Sequence, residues 1–162
     1  MPLIGIIAKK RDIKEIKSNL DKSYELIEIT NKSIINLKNI KFEEIIINKD
    51  IILSELECKY LIEIIHETKY IIVNADTEIQ ILKKVKLEKP IKIITYGFNS
   101  KATISISSVK DDYIIVSIQR EIEKANNKKI ENQERKIEIS SEKNSKIYNK
   151  IINFIIKELH NL

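Results

Sequence analysis

The chain has 162 residues, 43% of them hydrophobic and 33% charged, with only two glycines and two prolines. That balance excludes a disordered chain and a collagen-like or loop-rich one, and the length suffices for one domain with a sizeable core. The net charge of +5 is unevenly spread: residues 1–81 hold 12 basic and 14 acidic side chains, residues 82–162 hold 17 and 10.

Read in chain order, the pattern alternates strand and helix. Leu3 to Ala8 is a continuous apolar run, as a strand buried on both faces requires. Asp12 to Leu20 carries Ile13, Ile16 and Leu20 at helical spacing, and Tyr24 to Thr30 reads as a second strand. Ser33 to Asn39 is a short helix or turn, and Glu44 to Asn48 a third buried strand built on Ile45, Ile46 and Ile47. Ser54 with Glu57 three residues on is a capping box. It opens a helix to about Thr68 whose apolar face is Leu56, Tyr60, Leu61, Ile64 and Ile65. Tyr70 to Asn74 is the fourth strand, Thr77 to Val85 another helix, and Ile91 to Tyr96 the fifth strand.

After Gly97 the period changes. Ala102 to Val109 and Tyr113 to Gln119 alternate about the turn Lys110-Asp111-Asp112, which predicts an antiparallel hairpin. Residues 121–135 are polar, with a loop at Ala125 to Lys128, and Lys136 to Ile139 is a last short strand. A final helix from about Ser145 to Leu159 carries Ile147, Ile151, Ile155 and Leu159 every fourth residue, with Phe154 alongside. The expectation is one three-layer α/β domain over residues 1–162: a mainly parallel sheet, helices on both faces, and an antiparallel hairpin toward the C-terminus.

Composition narrows the function classes. The chain holds 39 isoleucines and 26 lysines against 3 arginines, a bias of codon composition before function. The lone Cys58 rules out an intrachain disulfide and a multi-cysteine zinc site. No apolar run has the length of a signal peptide core or a membrane span, so the expected compartment is the cytoplasm. A basic C-terminal half can mark a nucleic-acid footprint, but with few arginines, no Gly-rich loop and no aromatic cluster it reads as a solvated face. His66 and His160 lack a Cys or paired carboxylate at ligand spacing. Ser107-Ser108 and Ser140-Ser141 lack the glycines of a nucleophile elbow.

Several short motifs recur in one order. They are Glu28-Ile29-Thr30-Asn31, then Leu37 and Phe42 ahead of Ile45-Ile46-Ile47-Asn48, then Val73-Asn74-Ala75-Asp76 and Ile93-Ile94-Thr95-Tyr96-Gly97. Ala102, and Asn144 with Asn149 before the last apolar helix, complete the series. In this order they resemble the central, ATP-binding domain of the Mur ligases, the family that adds amino acids to the cell-wall precursor. The resemblance implies a parallel sheet followed by an antiparallel hairpin, and it covers roughly residues 24–160.

The departures from that family bear on function. Its first strand runs into a Gly-rich P-loop ending Gly-Lys-Thr, whose N–H groups and lysine hold the phosphates. Here Ile4-Gly5-Ile6 runs into Ile7-Ala8-Lys9-Lys10-Arg11-Asp12-Ile13, with no glycine after the strand and Asp12 near the lysine's place. A carboxylate there repels a triphosphate. About fifteen residues join the first two strands, where a ligase has several dozen. The family's Asp-His pair at the magnesium site is replaced by Lys49-Asp50, and its two flanking domains have no counterpart in these residues. Lys59 lies fifteen residues before Asn74, near the spacing of the family's carbamoylated, magnesium-holding lysine, but its helical phase points it away from the apolar stripe.

These features predict a shrunken, non-catalytic relative of that domain, a binding or regulatory module linked to cell-wall precursor metabolism, with no catalytic residue, metal or cofactor. Its candidate ligand-binding residues are Asn48, Asn74, Asp76 and Gly97 at the strand carboxyl ends, with Lys59 as a candidate modified lysine. Asn74 to Thr77 also suits capping of the next helix, with Asp76 as the cap. The expected partner is a protein or a small molecule, neither membrane nor nucleic acid, and the sequence leaves a homodimer open. Two alternatives stand beside it: a residual ligase-like enzyme binding nucleotide without a P-loop, and a structural or assembly protein docking through its hairpin edge or last helix.

Overall fold

Isoleucine-rich strands without polar alternation need burial on both faces, and the α/β fold provides it. The computed structural model describes residues 1–86, 91–139 and 147–161. Its strands form an eight-stranded mixed, mainly parallel sheet and a small antiparallel two-stranded one. The chain divides into two units, Met1–Ile93 and Ile94–Leu162.

The first unit runs β1 (Leu3–Ile7), α1 (Lys10–Ser18), β2 (Glu25–Glu28), α2 (Ile34–Leu37), β3 (Glu44–Ile47), α3 (Glu55–His66) and β4 (Tyr70–Asn74). The strands lie in the order β2-β1-β3-β4, all parallel, with Ile6 opposite Glu28, Ile7 opposite Ile47, and Ile47 opposite Val73. The chain therefore steps one way from β1 to β2, then back past β1 to β3 and β4. Right-handed crossovers in opposite directions place α1 on one face and α2 and α3 on the other. Ile7, Ile45, Ile47, Ile71 and Val73 pack with Leu37 of α2 and Leu61, Ile64 and Ile65 of α3. By strand alternation Ile4, Ile6, Ile46 and Ile72, all fully buried, point to the opposite face. Gly5 lies in the α2/α3-side row, where a Cβ would stand 2.7 Å from Ile29 Cδ1. Its missing side chain is the space that Ile29 fills.

Helix boundaries follow local chemistry. Ser54 Oγ accepts from Glu57 N–H (3.2 Å) while Glu57 Oε1 accepts from Ser54 N–H (2.8 Å), so the predicted capping box starts α3. The buried face of α3 is Cys58, Leu61, Ile64 and Ile65, whereas Leu56 is 55% exposed and lies outside the stripe the sequence assigned to it. The predicted helix Thr77 to Val85 is replaced by a short 3₁₀ turn, Gln80–Lys84. Ile79 and Ile81, two residues apart, are both buried in the α2/α3-side core, a spacing an α-helix would point to different faces.

The second unit takes up β5 (Lys92–Gly97) from Ile94 on. It continues through β6 (Ile104–Val109), β7 (Tyr113–Ile118), β8 (Ile122–Glu123), β9 (Lys129–Ile130), β10 (Gln133–Glu138) and α4 (Ile147–His160). β6 and β7 form the predicted antiparallel hairpin, with an irregularity between Ile106 and Ser108, and β10 pairs antiparallel with β7. The last strand thus begins at Gln133, earlier than the Lys136 its apolar residues suggest, because Gln133, Glu134 and Lys136 are exposed and give no hydrophobic signal. β8 and β9 pair as a small hairpin inside the stretch read as polar loop, turning at Asn127 with φ 66°. Phe154, Ile155 and Leu159 of α4 meet Ile94, Ile104, Ile118, Ile122 and Ile130. Of the final-helix and closing-motif expectations, Ser145 and Asn144 lie outside the described residues, as do Ser140 and Ser141.

Candidate functional site

In the first unit the carboxyl ends of β1, β3 and β4 form the edge where parallel sheets bind ligands, and the strand order reverses between β1 and β3. Asn48 follows β3, its N–H donating to the Ile7 carbonyl (3.0 Å), which holds the β1 and β3 exits side by side. Asn74, the last residue of β4, is 3% exposed. Its Nδ2 donates to Asn48 Oδ1 (3.2 Å) and to the Asn48 carbonyl (3.4 Å). Its Oδ1 accepts the Asp76 N–H (2.9 Å). This two-residue side-chain-to-backbone link is an Asx-turn, which bends the chain without starting a helix. The structure therefore brings Asn48 and Asn74 together and makes Asn74, not Asp76, the turn-former. Asp76 is exposed, and the helix it was expected to cap is absent; Asp50 Oδ1 instead accepts the Gln80 N–H (3.1 Å) at the start of the 3₁₀ turn. Nearby, Lys83 Nζ lies 2.6 Å from Glu78 Oε1 and holds that carboxyl below the usual glutamate range.

The β1–α1 connection is Ala8-Lys9, and α1 starts at Lys10 without a side-chain cap from Lys9. Asp12, in the first helical turn, is 4% exposed. Its carboxylate sits where the helix dipole favours negative charge, so that end of α1 already carries an anionic group of its own. Lys59 is exposed on α3, and Cys58 is buried with Sγ 4.0 Å from the Leu53 carbonyl. Among the described residues no group of three or more His, Cys, Asp or Glu side chains is placed to hold a metal ion, and no helix is long and apolar enough to cross a membrane.

Gly97 belongs to the second unit and has φ 146°, a backbone conformation that favours glycine. It ends β5, which pairs in parallel with β6 only at Tyr96–Ile104 and Gly97–Ser105. The connection between these strands is far shorter than a crossover helix needs. Side chains complete the pairing: Thr103 N–H donates to Thr95 Oγ1 (2.8 Å) and Thr95 N–H to Thr103 Oγ1 (3.2 Å). Gln119 Nε2 donates to the Ser100 and Ala102 carbonyls (2.7 and 2.8 Å) and to Ser105 Oγ (3.0 Å). Sequence reading missed this network because its members are far apart in the chain and belong to no motif. It also missed Asn153, on the buried side of α4, whose Oδ1 and Nδ2 have no hydrogen-bond partner among the described residues. Asn149 is 1% exposed in the same helix.

The amino edge of the first unit differs. A groove of about 440 Å³ is lined by Lys41, Phe42, Glu43, His66, Glu67, Thr68, Lys69, Ile91 and Lys92. Lys69 pairs with Glu43 (3.7 Å), Lys92 lies over the Tyr70 ring (5.5 Å), and His66 Nε2 is 3.0 Å from the Lys86 carbonyl. Tyr24, just before β2, has its phenol pKa raised, chiefly by desolvation and then by the charges of Glu44 and Asp21. No protein-family model matches the chain, and no curated protein matches it.

Proposed function

We propose that this chain is a non-catalytic binding or regulatory module, a relative of the Mur ligase central domain tied to cell-wall precursor metabolism. Its ligand or protein partner meets the carboxyl edge of the first unit. The observation that carries this reading is the β1–α1 connection: it has no glycine, and a buried carboxylate, Asp12, stands in the first turn of α1. A phosphate cradle needs open backbone N–H groups and a cation at that place. The reversal of strand order between β1 and β3, with Asn48 and Asn74 at the strand ends, supports the choice of edge.

Thermal denaturation tests it, because a ligand of the native state raises the melting temperature. The melting temperature should be unchanged by magnesium-ATP at millimolar concentration. A small-molecule screen should return compounds that raise it and perturb residues 8–12, 48–50 and 74–76. A rise of several degrees with magnesium-ATP overturns the non-catalytic reading, and hits that map to the amino-edge groove overturn the choice of edge.

A further inference from the structure

We infer that α4 is a displaceable cover: it opens from the second unit's sheet in a step of its own, while strands β1 to β4 stay paired. The first observation is Asn153, in the middle of α4 and 5% exposed, whose Oδ1 and Nδ2 are both buried and have no hydrogen-bond partner. A buried amide without partners has given up its water and gained no bond in exchange. The closed position of α4 therefore carries a cost that an open position relieves. Native chains keep few such groups. This chain also shows the satisfied case: Asn74, 3% exposed, uses its side-chain amide in three hydrogen bonds. A buried asparagine is answered in full at the end of β4, and Asn153 of α4 is not.

The second observation is how α4 is held. Near its C-terminal end the Leu159 carbonyl accepts the Ala125 N–H from the β8–β9 turn (2.9 Å). Glu158 Oε1 lies 2.8 Å from Arg135 Nη2 of β10, whose guanidinium stands 5.5 Å over the Phe154 ring. Near the N-terminal end Tyr148 meets the rings of Tyr96 and Phe98 edge-on, each at 6.2 Å. Around Asn153 the buried neighbours are Ile151, Ile152, Ile155 and Ile156. Isoleucine adheres by apolar burial, which has no direction and is recovered against any other apolar surface. Opening uncovers Ile94, Ile104, Ile118, Ile122 and Ile130, which Phe154, Ile155 and Leu159 meet in the closed form. The apolar face of the second unit is thus offered only when α4 has moved.

Hydrogen exchange of the full chain, read amide by amide under conditions that report the opening equilibrium, tests this. After correction for intrinsic rates, the amides of residues 151–159 should exchange faster than those of Ile45–Ile47 and Ile71–Val73, by about tenfold or more. Asn153→Leu removes the amide and keeps a similar shape, and it should slow exchange across α4 about tenfold. Asn153→Asp places a charge at the same point; it should strip α4 of protection and leave β1 to β4 protected. The inference is overturned if the α4 amides of the parent exchange at the same rate as those of β3 and β4, because α4 then opens only when the whole chain unfolds. It is also overturned if Asn153→Leu leaves α4 exchange unchanged or speeds it, the result expected of an amide satisfied by a bound water. Unfolding of both units in one transition by Asn153→Asp overturns it as well.

Discussion

The two edges of the first unit's sheet present opposite surfaces. At the amino edge there is open volume, about 440 Å³, but its charges offset one another: Lys41, Lys69 and Lys92 face Glu43, Glu67 and the negative end of α3. At the carboxyl edge the inner polar groups are closed onto one another through Asn48, Asn74 and the Asp76 N–H, and the exposed charges of the strand exits are of both signs, Lys9, Lys10, Arg11 and Lys49 with Asp76 and Glu55. Volume alone names no ligand chemistry. The candidate site is placed instead by the reversal of strand order between β1 and β3, on the edge with the less conspicuous shape.

The comparison can be broken by measuring what each edge contributes to stability. The largest effect is expected at Asn74: Asn74→Ala removes three part-buried hydrogen bonds, one from the Asp76 N–H and two to the Asn48 oxygens, and urea denaturation should show a loss of about 1–3 kcal/mol. A loss near zero would mean that the amide clamp is not closed. Ser54→Ala removes one half of the α3 capping box and should cost about 1 kcal/mol in the same assay. At the amino edge, Lys69→Ala breaks only a half-exposed pair with Glu43 and should change stability by no more than about 0.5 kcal/mol. A larger loss would show that the groove's charges are organised after all. Tyr24 gives the smallest signal, and it depends on pH. Its proton is held more tightly in the folded chain, so the unfolded chain ionises first as pH rises. Its contribution is intact below the ordinary tyrosine value of 10.0 and is lost as pH climbs past it. Tyr24→Phe should flatten that alkaline decline.

Much of the fold was legible because the first unit's strands are continuous apolar runs and its α3 cap is a local chemical pattern. Ile45, Ile46 and Ile47 can only be a strand covered on both sides, and Ser54 with Glu57 marks a helix start whatever the tertiary context. Where local and tertiary preferences disagreed, the sequence misled. Thr77 to Val85 has helical composition, but burying both Ile79 and Ile81 leaves only a 3₁₀ turn. The first half of β10 is charged and exposed, so nothing in its sequence marks it as a strand until Tyr113 to Ile118 pairs with it.

The site was legible in part for the same reason. Asn48 and Asn74 could be placed at strand ends, and the structure joins them at 3.2 Å. Asp76 was assigned a cap because capping is read from spacing, whereas the Asx-turn that replaces it depends on where Asn74's side chain lies. Gly97 too could be placed at a strand end, and the structure puts it at the end of β5 in the second unit, with φ 146°.

The central claim is that the β1–α1 exit, with Asp12 in its first turn, does not hold a triphosphate. The most direct test is a titration of the isotope-labelled chain with magnesium-ATP, following backbone amide shifts. The account predicts no saturable change at residues 8–13, 48–50 and 74–76. Saturable shifts centred on Lys9 to Asp12 would contradict it and return the chain to nucleotide chemistry.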